Sequence, residues 1–172
     1  MDMINLKINN VEYSVPAGIT VLEAARYAGI DIPTLCYLKD VNEIGACRLC
    51  LVEVTGARGL VTACVYPVNE GMEIFTNTDR VKEARKMNIQ LVLSAHEKKC
   101  LSCVRSTTCE LQKYAQEFGA DAGYFNSGYA ESNLDTSTPF LVRDNNKCIL
   151  CRRCVGACNN VQGIGAIGAL NR

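Results

Sequence analysis

Residues 4–28 read INLKINNVEYSVPAGITVLEAARYA. Ile4, Leu6 and Ile8 alternate with Asn5 and Lys7, and Val11, Tyr13 and Val15 alternate with Glu12 and Ser14. Two strands with a period of two therefore flank Asn9 and Asn10. Asparagine tolerates the positive φ that a two-residue hairpin turn requires. Thr20, followed three places later by Glu23, is a capping box, and the helix it opens runs to Ala28 before Gly29 stops it. A hairpin followed by a helix opens a β-grasp domain. Strands at 50–54, 60–64 and 72–76 would complete a small mixed sheet by about residue 77.

Outward from that stretch, the chain of 172 residues is 48% hydrophobic, enough to bury a modest core. Lys+Arg and Asp+Glu balance at 18 each, no tryptophan is present and nothing basic clusters, so a nucleic-acid footprint has little support. The first twenty residues alternate apolar and polar, unlike a signal peptide. No window approaches the roughly 18 apolar residues of a membrane span. The expected location is the cytoplasm, with no membrane insertion.

A helix is expected from Thr78, with Val81, Ala84, Leu91, Val92 and Ala95 near one stripe and Arg80, Lys82, Glu83 and Lys86 facing away. It delivers His96, the only histidine, at its end. Thr107 with Glu110 repeats the capping-box pattern and opens a helix whose Leu111, Tyr114 and Phe118 share a face, ending at Gly119. Residues 120–138 have many turn formers and no period, which reads as a connecting loop.

Eleven cysteines stand out against this background. An odd count without an export signal argues against a disulfide framework and for metal or redox chemistry. Cys36, Cys47, Cys50 and Cys64 leave gaps of ten, two and thirteen residues. A CxxC pair with one cysteine upstream and one far downstream is the layout of a plant-type 2Fe-2S site, although the first gap there is four. Cys47 and Cys50 either share one iron or straddle two. The loop IGACRLC, residues 44–50, is rich in small residues, which lets backbone N–H groups turn toward sulfur.

Cys148, Cys151, Cys154 and Cys158 spell CxxCxxCxxxC, the run of two-cluster ferredoxins, in which the fourth cysteine ligates the other cluster. Asn159 stands where the proline of that run is usual. Between these groups lie His96, Cys100, Cys103 and Cys109. Alone they would suit structural zinc, since three thiolates and an imidazole form a common site. Flanked by two iron-sulfur groups, they read as a 4Fe-4S site with one histidine ligand.

These three groups, and the stretch DNNKCILCRRCVGACNNVQG at residues 144–163, resemble the N-terminal iron-sulfur region of FeFe-hydrogenase catalytic subunits. Similar regions occur in the large iron-sulfur subunit of respiratory complex I and in NAD-dependent formate dehydrogenases. The resemblance covers essentially the whole chain and implies an α+β protein in three parts. These are a β-grasp 2Fe-2S ferredoxin-like domain at 1–77, a small helical His-Cys 4Fe-4S domain at 78–119 and, after the 120–138 loop, the first half of a two-cluster ferredoxin-like domain at 139–172. All eleven cysteines and His96 fall on ligand positions of that family. Cys148, Cys151 and Cys154 would hold three corners of a 4Fe-4S cluster whose fourth ligand is missing, and Cys158 would serve a second, incomplete one.

The implied function is an electron relay within an FeFe-hydrogenase-type oxidoreductase, the chain itself carrying no catalytic centre. The implied partners are the remainder of such a catalytic subunit and an NADH-oxidising flavoprotein or a soluble ferredoxin. A relay subunit of a complex I-like or formate dehydrogenase assembly is the alternative, and a zinc-stabilised scaffold is another. Arg152 and Arg153 read as solvated charge or as a docking point for an acidic partner. Gly163, Gly165 and Gly168 form a formal GxGxxG without the strand, helix and acidic residue of a dinucleotide site, so turn and close-packing glycines beside a cluster explain them better.

Overall fold

The computed structural model describes residues 2–125 and 134–169; part of the expected 120–138 loop, residues 126–133, lies outside the described residues. The chain forms two compact units, Met1–Arg85 with Arg152–Arg172, and Lys86–Cys151.

The first unit is built on a five-stranded mixed sheet. β1 (Met3–Ile8) and β2 (Val11–Pro16) form the expected hairpin, with Ile4 opposite Val15 and Leu6 opposite Tyr13. Asn9 and Asn10 take φ of 52° and 68°, the left-handed pair whose twist matches the flanking strands. The hairpin tip is also tied down, because the Asn9 side chain accepts from the Thr76 amide and donates to the Thr76 hydroxyl, both at 2.9 Å. β3 (Leu51–Val54), β4 (Val61–Thr62) and β5 (Glu73–Phe75) complete the sheet in the order β2-β1-β5-β3-β4. Only β1 and β5 run parallel among these pairs.

Between β2 and β3 lies α1 (Val21–Tyr27), whose capping box forms as expected: the Glu23 amide donates to Thr20 Oγ1 and the Thr20 amide to Glu23 Oε2. Gly29, at φ 74°, ends it. Val21, Leu22, Ala24 and Ala25 of α1 join Leu6, Ile8, Val15, Val52 and Ile74 in one buried core. Burying a side chain the size of valine or leucine is worth roughly 1.5–3 kcal/mol.

α2 (Asp79–Ser94) buries Val81, Arg85, Ile89, Gln90 and Leu93, while Leu91 is exposed. The expected stripe through Leu91 is therefore displaced. Arg85 occupies a core position at helical spacing because its guanidinium donates to the Leu51 carbonyl at 2.8 Å, and hydropathy alone discards an arginine there.

In the second unit, α3 (Glu110–Glu117) buries Leu111 and Tyr114 and ends at Gly119, as expected. Its start is a correction. Cys109 is the N-cap residue, and no Thr107 capping box forms. Thr107 sits at φ 71°, outside the extended region a cap needs, and its amide donates to Gln112 Oε1. Asp135 and Arg143 pair through both backbone hydrogen bonds and an ion pair at 3.1 Å, closing residues 135–143 on themselves. The Arg152–Arg172 segment opens with α4 (Arg153–Gly156), one turn that widens into a π turn over Ala157–Val161. Among the described residues no helix is long and apolar enough to cross a membrane.

Candidate iron-sulfur sites

The first unit brings Cys36, Cys47, Cys50 and Cys64 into electrostatic contact. Cys36, Cys50 and Cys64 are each 1% exposed. The sulfurs associate two by two. A hydrogen bond with Cys36 is the largest influence depressing the Cys47 thiol, and the same bond, together with burial, raises Cys36. Cys50 is lowered, and Cys64 raised, by their own shared hydrogen bond. Within each pair the hydrogen bond favours the thiolate on one sulfur and the thiol on the other, against burial that penalises charge on both. Cys64 also feels the charges of Cys36 and Cys47, so the two pairs form one group.

Local backbone explains the convergence. Gly45 takes φ 61° against Thr62 and Val65, where a Cβ would sit 3.3 Å from Thr62 Cγ2, so any side chain there is both strained and tight. Arg48 also takes a left-handed φ of 54° and donates from Nη1 to Thr62 Oγ1 at 2.6 Å. The Cys47 amide donates to Cys36 Sγ at 3.5 Å, and backbone hydrogen bonds from Leu49, Leu35 and Cys36 favour the Cys47 thiolate. This is the turning of amides toward sulfur that the small residues of IGACRLC imply. On the far side, the amides of Val21 and Leu22, at the start of α1, donate to the carbonyls of Tyr66 and Ala63 and hold the Cys64 segment.

In the second unit His96, Cys100, Cys103 and Cys109 line a single cavity with Lys99, Arg105 and Ser106. His96 follows the last turn of α2, and its buried Nδ1 has no hydrogen-bond partner. Burial lowers its pKa, which outweighs the opposing fields of Glu97 and Asp144 and keeps the imidazole neutral, the form that ligates metal. Cys100 opens a 3-10 turn, Cys103 Sγ accepts the Arg105 amide at 3.5 Å, and Cys109 begins α3. An unpartnered imidazole nitrogen and three thiols around one cavity fit a cluster's donor set. Among the described residues no three or more His, Cys, Asp or Glu side chains close as tightly as a single ion requires. Ligands on separate iron corners stand further apart.

The third group is divided between the units. In the second, Cys148 is exposed, and its sulfur accepts the Leu150 amide at 3.4 Å across a turn with Leu150 at φ 57°; Cys151 is half-buried. In the first, Cys154 is exposed on α4 and Cys158 is buried on the π turn. Cys158 Sγ accepts the Ala166 amide at 3.2 Å. Gly163 and Gly165, both at φ 68°, make the turns that bring this amide back, and among the described residues no helix follows them. They are turn glycines.

Two contributors were not legible in the sequence. Asn42, 3% exposed, donates from Nδ2 to the Cys36 carbonyl at 2.8 Å. Arg153 donates to the carbonyls of Cys36 and Tyr37. Arg153 is half-buried and engaged with its own chain, so it is not simply solvated charge.

Comparison with known proteins decides the family. Residues 1–79 match the family described as a 2Fe-2S iron-sulfur cluster binding domain, and residues 85–123 match the NADH-ubiquinone oxidoreductase-G iron-sulfur binding region. A solved structure described as an NAD+-reducing [NiFe]-hydrogenase in the H2-reduced state is similar at TM-score 0.89 and 31% identity, over 98% of this chain and 71% of that one. The chain carries the N-terminal 2Fe-2S and 4Fe-4S iron-sulfur regions of the NADH-quinone oxidoreductase G and NADP-reducing hydrogenase subunit family. Within it, the NADP-reducing hydrogenase subunit HndD of Solidesulfovibrio fructosivorans is 41% identical over the whole chain, which spans 30% of that relative. The NADH-ubiquinone oxidoreductase 75 kDa subunit of Reclinomonas americana is 34% identical over 99% of the chain, which spans 25% of that protein. As members of this family, the two matched regions are a 2Fe-2S and a 4Fe-4S binding domain.

Proposed function

We propose that this chain is the iron-sulfur electron relay of an NAD(P)-linked hydrogenase-type oxidoreductase. The observation that carries the reading is the convergence of Cys36, Cys47, Cys50 and Cys64 as two hydrogen-bonded thiol pairs, with Cys36, Cys50 and Cys64 buried and Cys47 half-buried. Cys36 with Cys47 would hold one iron of a 2Fe-2S cluster and Cys50 with Cys64 the other, so the CxxC pair straddles the two irons. His96, Cys100, Cys103 and Cys109 would hold a 4Fe-4S cluster. Cys148, Cys151 and Cys154 would bind a further one, and Cys158 would serve another. When bound, such clusters accept and pass on single electrons with little rearrangement. The protein's residues exclude water from the thiolates, donate N–H groups to sulfur and hold His96 neutral.

The finer reading gives the β-grasp domain residues 1–77, the His-Cys domain 78–119 and a ferredoxin-like half 139–172, within an FeFe-hydrogenase-type catalytic subunit in the cytoplasm. Its electrons would be exchanged with an NADH-oxidising flavoprotein or a ferredoxin. The 41% identity to a subunit named NADP-reducing hydrogenase favours the hydrogenase setting. The solved relative's name specifies [NiFe], and the 34% identity to an NADH-ubiquinone oxidoreductase subunit supports a complex I-like assembly as the second reading.

Anaerobic reconstitution with iron and sulfide, followed by metal analysis and EPR, tests the relay. A brown protein with separate 2Fe-2S and 4Fe-4S signals is expected. A colourless protein holding stoichiometric zinc would overturn it.

A further inference from the structure

The short helix α4 makes contacts that no ligand role requires. Arg153, between Cys151 and Cys154, donates from Nη2 to the Tyr37 carbonyl at 3.0 Å and from Nε to the Cys36 carbonyl at 3.4 Å. Asn160, on the π turn, donates from Nδ2 to the Val41 carbonyl at 2.9 Å. Gly156 lies so close to the same loop that a Cβ would be 2.5 Å from the Val41 oxygen. The loop being gripped carries Cys36 and is closed by the Leu38 and Asn42 backbones, which exchange hydrogen bonds of 3.0 and 2.7 Å. Asn42 adds its own bond to the Cys36 carbonyl.

We propose that Arg153 is a positioning and charge-tuning residue for the 2Fe-2S site, so that the sequence of the third cysteine group sets the properties of the first. A guanidinium forks across two adjacent carbonyls, which fixes the peptide next to the Cys36 sulfur. Its positive charge stands beside a site that becomes more negative on reduction, and therefore favours the reduced state. The Arg26 guanidinium lies 5.0 Å from the centroid of the Tyr37 ring, and the Glu43 and Glu23 carboxylates act on the same residue, so charges of both signs adjoin this segment beside Arg153. The proposal rests on Cys36, Cys47, Cys50 and Cys64 being the 2Fe-2S ligands.

The test uses the reconstituted chain with Arg153→Met, Arg153→Lys and, as a control, Arg152→Met at the exposed neighbouring position. EPR-monitored titration gives the midpoints of the 2Fe-2S and His96-containing centres, and hydrogen exchange follows the amides of Leu38, Val41 and Asn42. Arg153→Met should move the 2Fe-2S midpoint to a more negative value, leave the His96 centre in place and speed exchange at those three amides. Arg153→Lys, which keeps the charge but loses the fork, should restore most of the midpoint and not the exchange protection. An unmoved midpoint in Arg153→Met, or an equal shift in Arg152→Met, overturns the proposal while leaving the ligand assignment standing. A wild-type chain without a 2Fe-2S signal fells the ligand assignment and the proposal with it.

Discussion

The first and third cysteine groups have four thiols each but are held in different ways. Cys36, Cys50 and Cys64 are almost fully buried, and Cys50 and Cys64 belong to the hydrophobic core. Burial of that kind penalises thiolates, and the group answers by pairing its sulfurs and aiming amides at them. Cys148 and Cys154 are exposed, and the sulfur contacts of this group are short-range turns: Leu150 to Cys148, and Ala166 to Cys158. A site built into a core is arranged before its cluster arrives. One built on turns depends more on the cluster itself for its order.

The sharpest contrast lies in removing one ligand from each group. Cys64→Ala is expected to abolish the 2Fe-2S signal, lower the iron content by about 2 per chain, and reduce apo-protein stability by about 1–2 kcal/mol. Cys154→Ala, at an exposed position, should leave apo stability within about 0.5 kcal/mol of wild type. Urea unfolding of both apo variants checks this, and equal losses would break the comparison.

Cys158 is the member of the third group that resembles the first, being buried and accepting the Ala166 amide. Cys158→Ala should cost about 1 kcal/mol of apo stability. If Cys158 serves a cluster other than that of Cys148, Cys151 and Cys154, the firmly held iron stays near about 6 per chain in wild type and variant alike. A robust content of about 10 that falls on this substitution would show that the four cysteines close one site.

The His96 group lies between these extremes, half-buried around its own cavity. A neutral imidazole in place of a thiolate leaves the cluster less negative and easier to reduce. His96→Cys should therefore lower that centre's midpoint, on the order of 100 mV, in an EPR-monitored titration. An unchanged midpoint and spectrum would remove His96 from the ligand set.

What could be read in the sequence followed from how local each cause is. The hairpin needs only alternation and two asparagines at its tip, and α1 needs only Thr20, Glu23 and Gly29, all close neighbours in the chain. The three cysteine groups are recognisable because ligand spacing is itself a chain-local pattern. Asn42 and Arg153 were illegible because their carbonyl contacts follow no period, and Arg153 acts on residues more than a hundred positions away. Arg85 was hidden for a related reason: a single long-range hydrogen bond turns a charged residue into a core residue.

The two Thr-x-x-Glu boxes give the smallest expected effect and separate local pattern from realised structure. Thr20 has the extended backbone of a true cap, φ −85° and ψ 162°, and its hydroxyl accepts the Glu23 amide. Removing it leaves an amide at the start of α1 unsatisfied, beside the Val21 and Leu22 amides that hold the Cys64 segment. Thr20→Ala should cost about 1 kcal/mol and speed amide exchange at the start of α1. Thr107 stands before the same spacing but at φ 71°, where a β-branched residue is strained and the hydroxyl caps nothing. Thr107→Gly, which relieves that strain, is expected to be neutral or stabilising by up to about 1 kcal/mol, because no cap is lost. Urea unfolding of the two apo variants checks the pair. A loss at Thr107 as large as that at Thr20 would mean that the second box forms in solution and that α3 starts before Cys109, changing how the fold presents that cysteine to the His96 cavity.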